Sequence, residues 1–195
     1  LYLHNPRNEA ANLKVPLFFL KKQKNNGIIS NTGLSMAKDF NYNINQINSF
    51  DCVQNDVNLL YLKPILSHDY SQKKFHARSP LATGLLSGNK NSKSSFNKND
   101  YRSSWLKGKR LKSIMLRIKE LEKLHNLPIK FLAMKFVLEN SLIDKVIFGI
   151  KSREHVNDLL YVLSLETLPK ALFKTIENLY LNDFYLSEEH KSLGY

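Results

Sequence analysis

Five polar clusters recur along this sequence, each directly after a short apolar run. Leu3 gives way to His4-Asn5-Pro6, and Thr32-Gly33-Leu34 leads to Ser35. Val53 leads to Gln54-Asn55, with Asn58 three further on, and Ala77 leads to Arg78-Ser79-Pro80-Leu81. Ile147 leads to Gly149-Ile150-Lys151-Ser152. Singly, each is an ordinary loop start. Together they offer imidazole, hydroxyl, amide and guanidinium groups to a polar ligand. The last two clusters also suit phosphate, because glycine lets the backbone approach and a following helix N-terminus presents unpaired N–H donors. Other chemistries lack their residues. No Gly-x-Gly-x-x-Gly or Walker loop is present, the single Cys leaves no pair for zinc, and none of the six His is spaced as helical metal ligands are. No metal site is expected, and Cys52, without an adjacent partner, reads as a packing residue.

These clusters need elements to hold them. Residues 1–3, 28–34, 50–54, 74–78 and 145–150 read as short strands covered on both faces. Helical spacing marks 13–24, 111–125, 129–138, 154–163 and 168–181. The clearest is 111–125, where Leu111, Ile114, Met115, Ile118, Leu121 and Leu124 recur at three- and four-residue spacing opposite a Lys/Glu face. Pro128 stands where proline favours a helix start. Strands alternating with helices predict βα units, a parallel sheet and right-handed crossovers. Polar groups at the strands' C-terminal ends are where such folds place their sites.

The chain has 195 residues, 43% hydrophobic and 24% charged. That supports one domain with a sizeable core and excludes collagen-like, disulfide-stapled and globally disordered classes. The domain is expected over 1–185, with a flexible Ser/Asn/Lys/Gly-rich loop at 87–109 and a loose tail at 186–195. With 29 Lys+Arg against 17 Asp+Glu the net charge is +12. The basic residues are spread out and interleaved with 21 Asn, and no nucleic-acid motif accompanies them, so they read as solvated faces and nucleic-acid binding is not expected. Part of the charge could serve a phosphorylated cofactor. No apolar run approaches the ~18 residues of a membrane helix. The first residues lack a secretory signal's basic start and apolar stretch, and the lone Cys fits a reducing, cytoplasmic setting.

In order and spacing, three groups of strings resemble the aldo-keto reductase family. The first is Leu-Tyr-Leu-His4-Asn-Pro, Gly27-Ile-Ile-Ser-Asn-Thr-Gly33-Leu-Ser35 and Phe50-Asp-Cys-Val-Gln54 with Asn58-Leu-Leu. The second is Arg78-Ser-Pro-Leu-Ala-Thr-Gly84-Leu-Leu-Ser-Gly88, followed by Asp100-Tyr-Arg102-Ser-Ser-Trp105. The third is Phe136-Val-Leu-Glu-Asn140 leading into Val146-Ile-Phe-Gly149-Ile-Lys-Ser152-Arg-Glu-His155-Val. Each motif alone is weak; the ordered set, covering about residues 1–163, is strong. The resemblance implies an α/β fold of (β/α)8 TIM-barrel type that binds NADP(H) in extended form and reduces an aldehyde or ketone. It begins at the fourth strand, so a partial barrel of about strands 4–8 is expected, as the C-terminal portion of a longer enzyme. The other barrel half, with the family's Asp, Tyr and Lys, would lie in the same or another chain.

The resemblance also implies roles. His4 would orient the carbonyl of a small-molecule substrate. Ser35 and Gln54 would hold the nicotinamide carboxamide, with Met36 where an asparagine is usual. Arg78 would stack on the nicotinamide where many members use an aromatic ring. Ser79, Leu81 and Gly84 belong to the loop that wraps the pyrophosphate. Gly149, Lys151, Ser152 and His155 would hold the adenosine 2′-phosphate, and Asp158-Leu159 replaces a Glu-Asn pair on the adenine. Arg102 and Trp105 would face substrate. The alternative is a non-catalytic nucleotide- or protein-binding module derived from the family, towards which Met36 and Leu159 tilt.

Overall fold

The computed structural model describes residues 1–6, 13–38, 42, 44–67, 73–92, 94–191, 193 and 195. Five strands, β1 (Tyr2–His4), β2 (Gly33–Ser35), β3 (Cys52–Asp56), β4 (Lys74–Arg78) and β5 (Lys145–Ile147), form one sheet in chain order. Every pairing is parallel. Parallel neighbours require a crossover at each step. Helices α1 (Lys14–Asn25), α2 (Ile44–Asn48) and α3 (Lys63–Ser67) lie in the first three connections. The fourth carries α4 (Arg102–Trp105), α5 (Gly108–Glu122) and α6 (Ile129–Glu139), and α7 (Arg153–Ser164), α8 (Lys170–Leu181) and α9 (Glu188–Lys191) follow β5.

Alternation divides the strand residues between two faces. Leu3, Leu34, Val53 and Phe75 stand in register, as do Asn55, Ala77 and Val146. Leu34, Val53, Phe75 and Ala77 are completely buried, in one core with Leu111, Ile114, Leu121, Leu132, Phe136 and Val137 of α5 and α6. This is the face the apolar periodicity of α5 requires. The opposite face carries three rows: Tyr2, Gly33, Cys52 and Lys74; then His4, Ser35, Gln54, His76 and Lys145; then Asp56, Arg78 and Ile147. The side with the catalytic-type groups is therefore continuous across all five strands.

Element lengths differ from the sequence expectation in ways that have local causes. The second strand is Gly33–Ser35 rather than 28–34, because α1 runs on to Asn25 and Gly27 (φ 73°) turns the chain at its end. The fifth stops at Ile147 rather than 150. The interval 87–109 contains α4, held by an ion pair between Arg102 and Asp100 (2.5 Å). Within 186–195, expected as a loose tail, His190 is buried, and its carbonyl accepts from Ser113 Oγ at 2.8 Å and from Arg117 Nη2 at 3.1 Å. Among the described residues no helix is long and apolar enough to cross a membrane.

Two contacts on the N-terminal side of the sheet carry measurable consequences. Gly33 is required by close approach, since a Cβ there would stand 2.5 Å from two ring carbons of Tyr2 and 3.0 Å from Cys52 Sγ. Gly33→Ala is expected to lower the unfolding free energy by about 1–3 kcal/mol in chemical denaturation. Asp51 accepts from the Thr32 N–H (2.7 Å) and hydroxyl (2.9 Å) and from Lys24 Nζ (2.7 Å), fastening the end of α1 beneath β2 and β3. Burial would raise this carboxyl, but Lys24 and the two Thr32 donors outweigh it and bring it from 3.8 down to about 2. A depressed carboxylate stabilises the fold above its unfolded pKa and loses that contribution as pH falls through the folded one. Asp51→Asn should thus flatten the loss of stability between about pH 4 and pH 2, read from denaturant midpoints.

Candidate active site at the strand ends

Arg78, the last residue of β4, reaches across the C-terminal ends of the other strands. Its Nε donates to Asp56 Oδ1 at 2.7 Å, its Nη1 to Ser35 Oγ at 2.6 Å and to Asn5 Oδ1 at 3.4 Å, and its Nη2 to the Met36 carbonyl at 2.7 Å. The Asp56 and Arg78 side chains are only 14% and 16% exposed, so each charge needs the other. With its edge N–H groups committed, the guanidinium plane is fixed across the C-terminal ends of β1, β2 and β3.

Ser35 connects this plane to His4. Its hydroxyl donates to Gln54 Oε1 at 2.9 Å and lies 3.1 Å from His4 Nδ1. A hydroxyl has one proton, which Ser35 commits to Gln54, so the His4 contact places a proton on Nδ1. Nε2 of the exposed imidazole remains for a ligand. His4, Ser35, Gln54 and Arg78 thus form one hydrogen-bonded cluster, as the sequence order suggested. Asp56 escaped the sequence reading, although it stands two residues beyond Gln54 and period-two alternation puts both on one face.

The loop after β4 is built from unusual backbone. Ser79, Ala82 and Thr83 have φ of 57°, 47° and 55°, and Gly84 has 90°. Asn58 Nδ2 donates to the Ser79 carbonyl (3.1 Å), Ser79 Oγ to Asp56 Oδ1 (2.9 Å), and Arg102 Nη1 to the Thr83 carbonyl (2.8 Å). Leu81 anchors the loop on the core, and a Cβ at Gly84 would come within 3.2 Å of Arg102. Arg102 is engaged with Asp100 and Thr83 and lies over the Phe96 ring at 4.5 Å. Trp105 is partly buried against the core.

After β5 the chain enters α7 with Ser152 at its N-cap, accepting from the His155 N–H at 3.4 Å, while the Lys151 N–H donates to His155 Nδ1 at 3.2 Å. Gly149, Lys151, Ser152 and His155 come together at this exposed helix start. A Cβ at Gly149 would meet nothing within 4 Å, so the chain's own packing does not demand glycine there. Asp158 is paired with Lys130 at 2.8 Å.

Deeper on the same face, the Tyr2 hydroxyl is hydrogen-bonded to His76 Nδ1 and lies 3.6 Å from Cys52 Sγ. Burial, reinforced by Cys52, pushes the Tyr2 phenol well above its ordinary range; burial, then Lys145, pushes the His76 imidazole down. Both stay neutral near pH 7, so this layer acts as polar packing.

The aldo/keto reductase family model matches residues 1–181. The chain belongs to the aldo/keto reductase family. Among solved structures, the glycerol dehydrogenase AKR11B4 from Gluconobacter oxydans superposes with a TM-score of 0.75 at 17% identity, over 95% of this chain and 59% of that one. The aldo-keto reductase AKR11C1 from Bacillus halodurans superposes in its apo form with a TM-score of 0.64 at 16% identity, over 97% of this chain and 64% of that one. Its holo form gives 0.63 at 16% identity, over 97% and 62%. No match is found among curated sequences. The chain therefore spans about three fifths of these structures, as a partial (β/α)8 barrel of five βα units in family order. In this aldo/keto reductase chain the rim rests on the Arg78–Asp56 pair. Asp56→Ala leaves a mostly buried guanidinium without its counter-charge, and should cost about 2 kcal/mol of stability in urea denaturation.

Proposed function

We propose that this chain is the cofactor-binding portion of an NADP(H)-dependent reductase acting on a small aldehyde or ketone. The observation that carries the reading is the convergence, at the C-terminal ends of successive strands, of the His4–Ser35–Gln54–Arg78 cluster, the left-handed loop 79–84 and the Ser152-capped start of α7. These groups fit an extended dinucleotide. Ser35 and Gln54 suit a carboxamide, the face of Arg78 suits a nicotinamide ring, and the loop with Leu81 and Gly84 suits the pyrophosphate. Lys151 and Ser152 suit a terminal phosphate, helped by the unpaired N–H groups of the α7 first turn. Bound NADPH would supply the hydride. His4 would hold the substrate carbonyl through Nε2, and Trp105 would face the same substrate.

A proton donor at that carbonyl is required, and the family's Asp, Tyr and Lys would come from further βα units pairing with the free edges of β1 and β5. Apolar side chains beside those edges fit such a cover: Phe18 and Phe19 of α1, and Val156, Leu160 and Leu163 of α7, are exposed. Those units would belong to the same or another chain, and the single buried Cys52 suits a cytoplasmic setting. The second reading, a nucleotide-binding module without catalysis, is favoured by Met36, whose thioether is buried where the family uses an amide.

Fluorescence titration with NADPH tests the reading. The wild-type chain is expected to quench protein emission, and Lys151→Ala to weaken NADPH by about tenfold while leaving NADH unchanged, the size expected of one charge-assisted contact. Absence of NADPH binding by the wild-type chain would overturn it.

A further inference from the structure

We propose that Tyr195 is a positioning residue, a latch that holds the loop of residues 79–84 in the shape the cofactor site needs; the cofactor part of this inference rests on the function proposed above. Three L-residues of that loop, Ser79, Ala82 and Thr83, adopt left-handed backbone. Such conformations are costly and persist only where the surroundings over-determine them.

Contacts from outside the loop supply that constraint. Asn58 holds the Ser79 carbonyl and Arg102 the Thr83 carbonyl, so one end of the loop is tied to the segment after β3 and the other to α4. Tyr195 lies beside both ends, its phenol facing the side chains of Thr83 and Asn58. Its ring lies under Lys38 Nζ at 3.5 Å and beside the Trp105 ring at 6.2 Å, which brings in the segments after β2 and after β4. One side chain therefore joins three of the segments that leave the strand ends. Burial, with Asp56 facing the phenol, pushes its pKa up, so it stays neutral and keeps its proton over the physiological range.

The chain at His190 and Lys191 is also held. Arg117, a buried cation on α5, gives Nη2 to the carbonyls of His190 (3.1 Å) and Lys191 (3.0 Å), and Ser113 gives Oγ to His190 (2.8 Å). A cation withdrawn from water needs strong acceptors. Satisfying Arg117 with these carbonyls holds residues 190 and 191 against α5. A tail merely resting on the surface would not need a buried arginine.

The test compares wild type, Tyr195→Phe and Tyr195→Ala in the full chain, by hydrogen exchange of amides 79–86 and NADPH titration, with thermal melting as control. Tyr195→Phe keeps the ring and should melt like wild type, yet its loop amides should exchange about fivefold to tenfold faster and NADPH should bind about fivefold to tenfold more weakly, the size of one lost polar contact. Tyr195→Ala should exceed it on both readouts. Unchanged exchange in both variants would overturn the latch, and so would tighter NADPH binding by Tyr195→Ala, which would make the tail a plug. If the wild-type chain binds no NADPH, the proposed function falls, while the exchange comparison still decides whether Tyr195 holds the loop.

Discussion

The ion pair between Arg78 and Asp56 is the constraint on which the rim of this sheet depends. The parallel register of β3 and β4 sets the two residues side by side at the last rung of the ladder, both pointing to the concave face. Neither charge could be withdrawn from water alone. Once paired, the guanidinium has N–H groups left over, and these reach Ser35, Asn5 and the Met36 carbonyl. Three short strands would otherwise end in separate loops. Instead they end on one planar group, and the orientation of Ser35, hence of Gln54 and His4, follows from it.

The rows beneath the rim explain why the concave face is polar without being unstable. A barrel interior is ordinarily filled by branched apolar side chains in layers. In this chain the layer under the rim holds Tyr2, Cys52 and His76, and Gly33 opens the space into which the Tyr2 ring fits. Neutral groups bonded to one another fill volume as apolar side chains would, at a smaller cost than ionised ones. The apolar work is done on the other face, where Phe75, Leu34 and Val53 meet α5 and α6. Among the described residues β1 and β5 are each paired on one side only, and these edges, with the exposed apolar residues of α1 and α7, mark where this division is incomplete. Edges of that kind invite strand pairing.

Buried cations recur as fasteners. Lys135 on α6 holds the Leu165 carbonyl (2.8 Å) and Glu139 (2.8 Å), joining α6 to the end of α7. Arg117 does the same for the chain beyond α8. Arg117 projects from an amphipathic helix whose exposed positions are rich in lysine, and in sequence nothing sets it apart from the solvated ones. The strongly basic composition therefore includes charges with structural work inside the fold.

The order of the strands, their parallel pairing and the placing of His4, Ser35, Gln54 and Arg78 at their C-terminal ends were legible from sequence alone. Apolar runs followed by small polar residues report where a buried strand surfaces, and period-two alternation reports which residues share a face. Tertiary structure alone decided strand lengths, the pairing of Arg78 with Asp56, the engagement of Arg102 with Asp100 and Thr83, and the contact of Tyr195 with Lys38. The physical reason is range. Periodicity carries information over a few residues, whereas the partners of Arg78 lie as far back as Asn5 and those of Tyr195 as far as Lys38, and only the register and the crossovers bring them within contact.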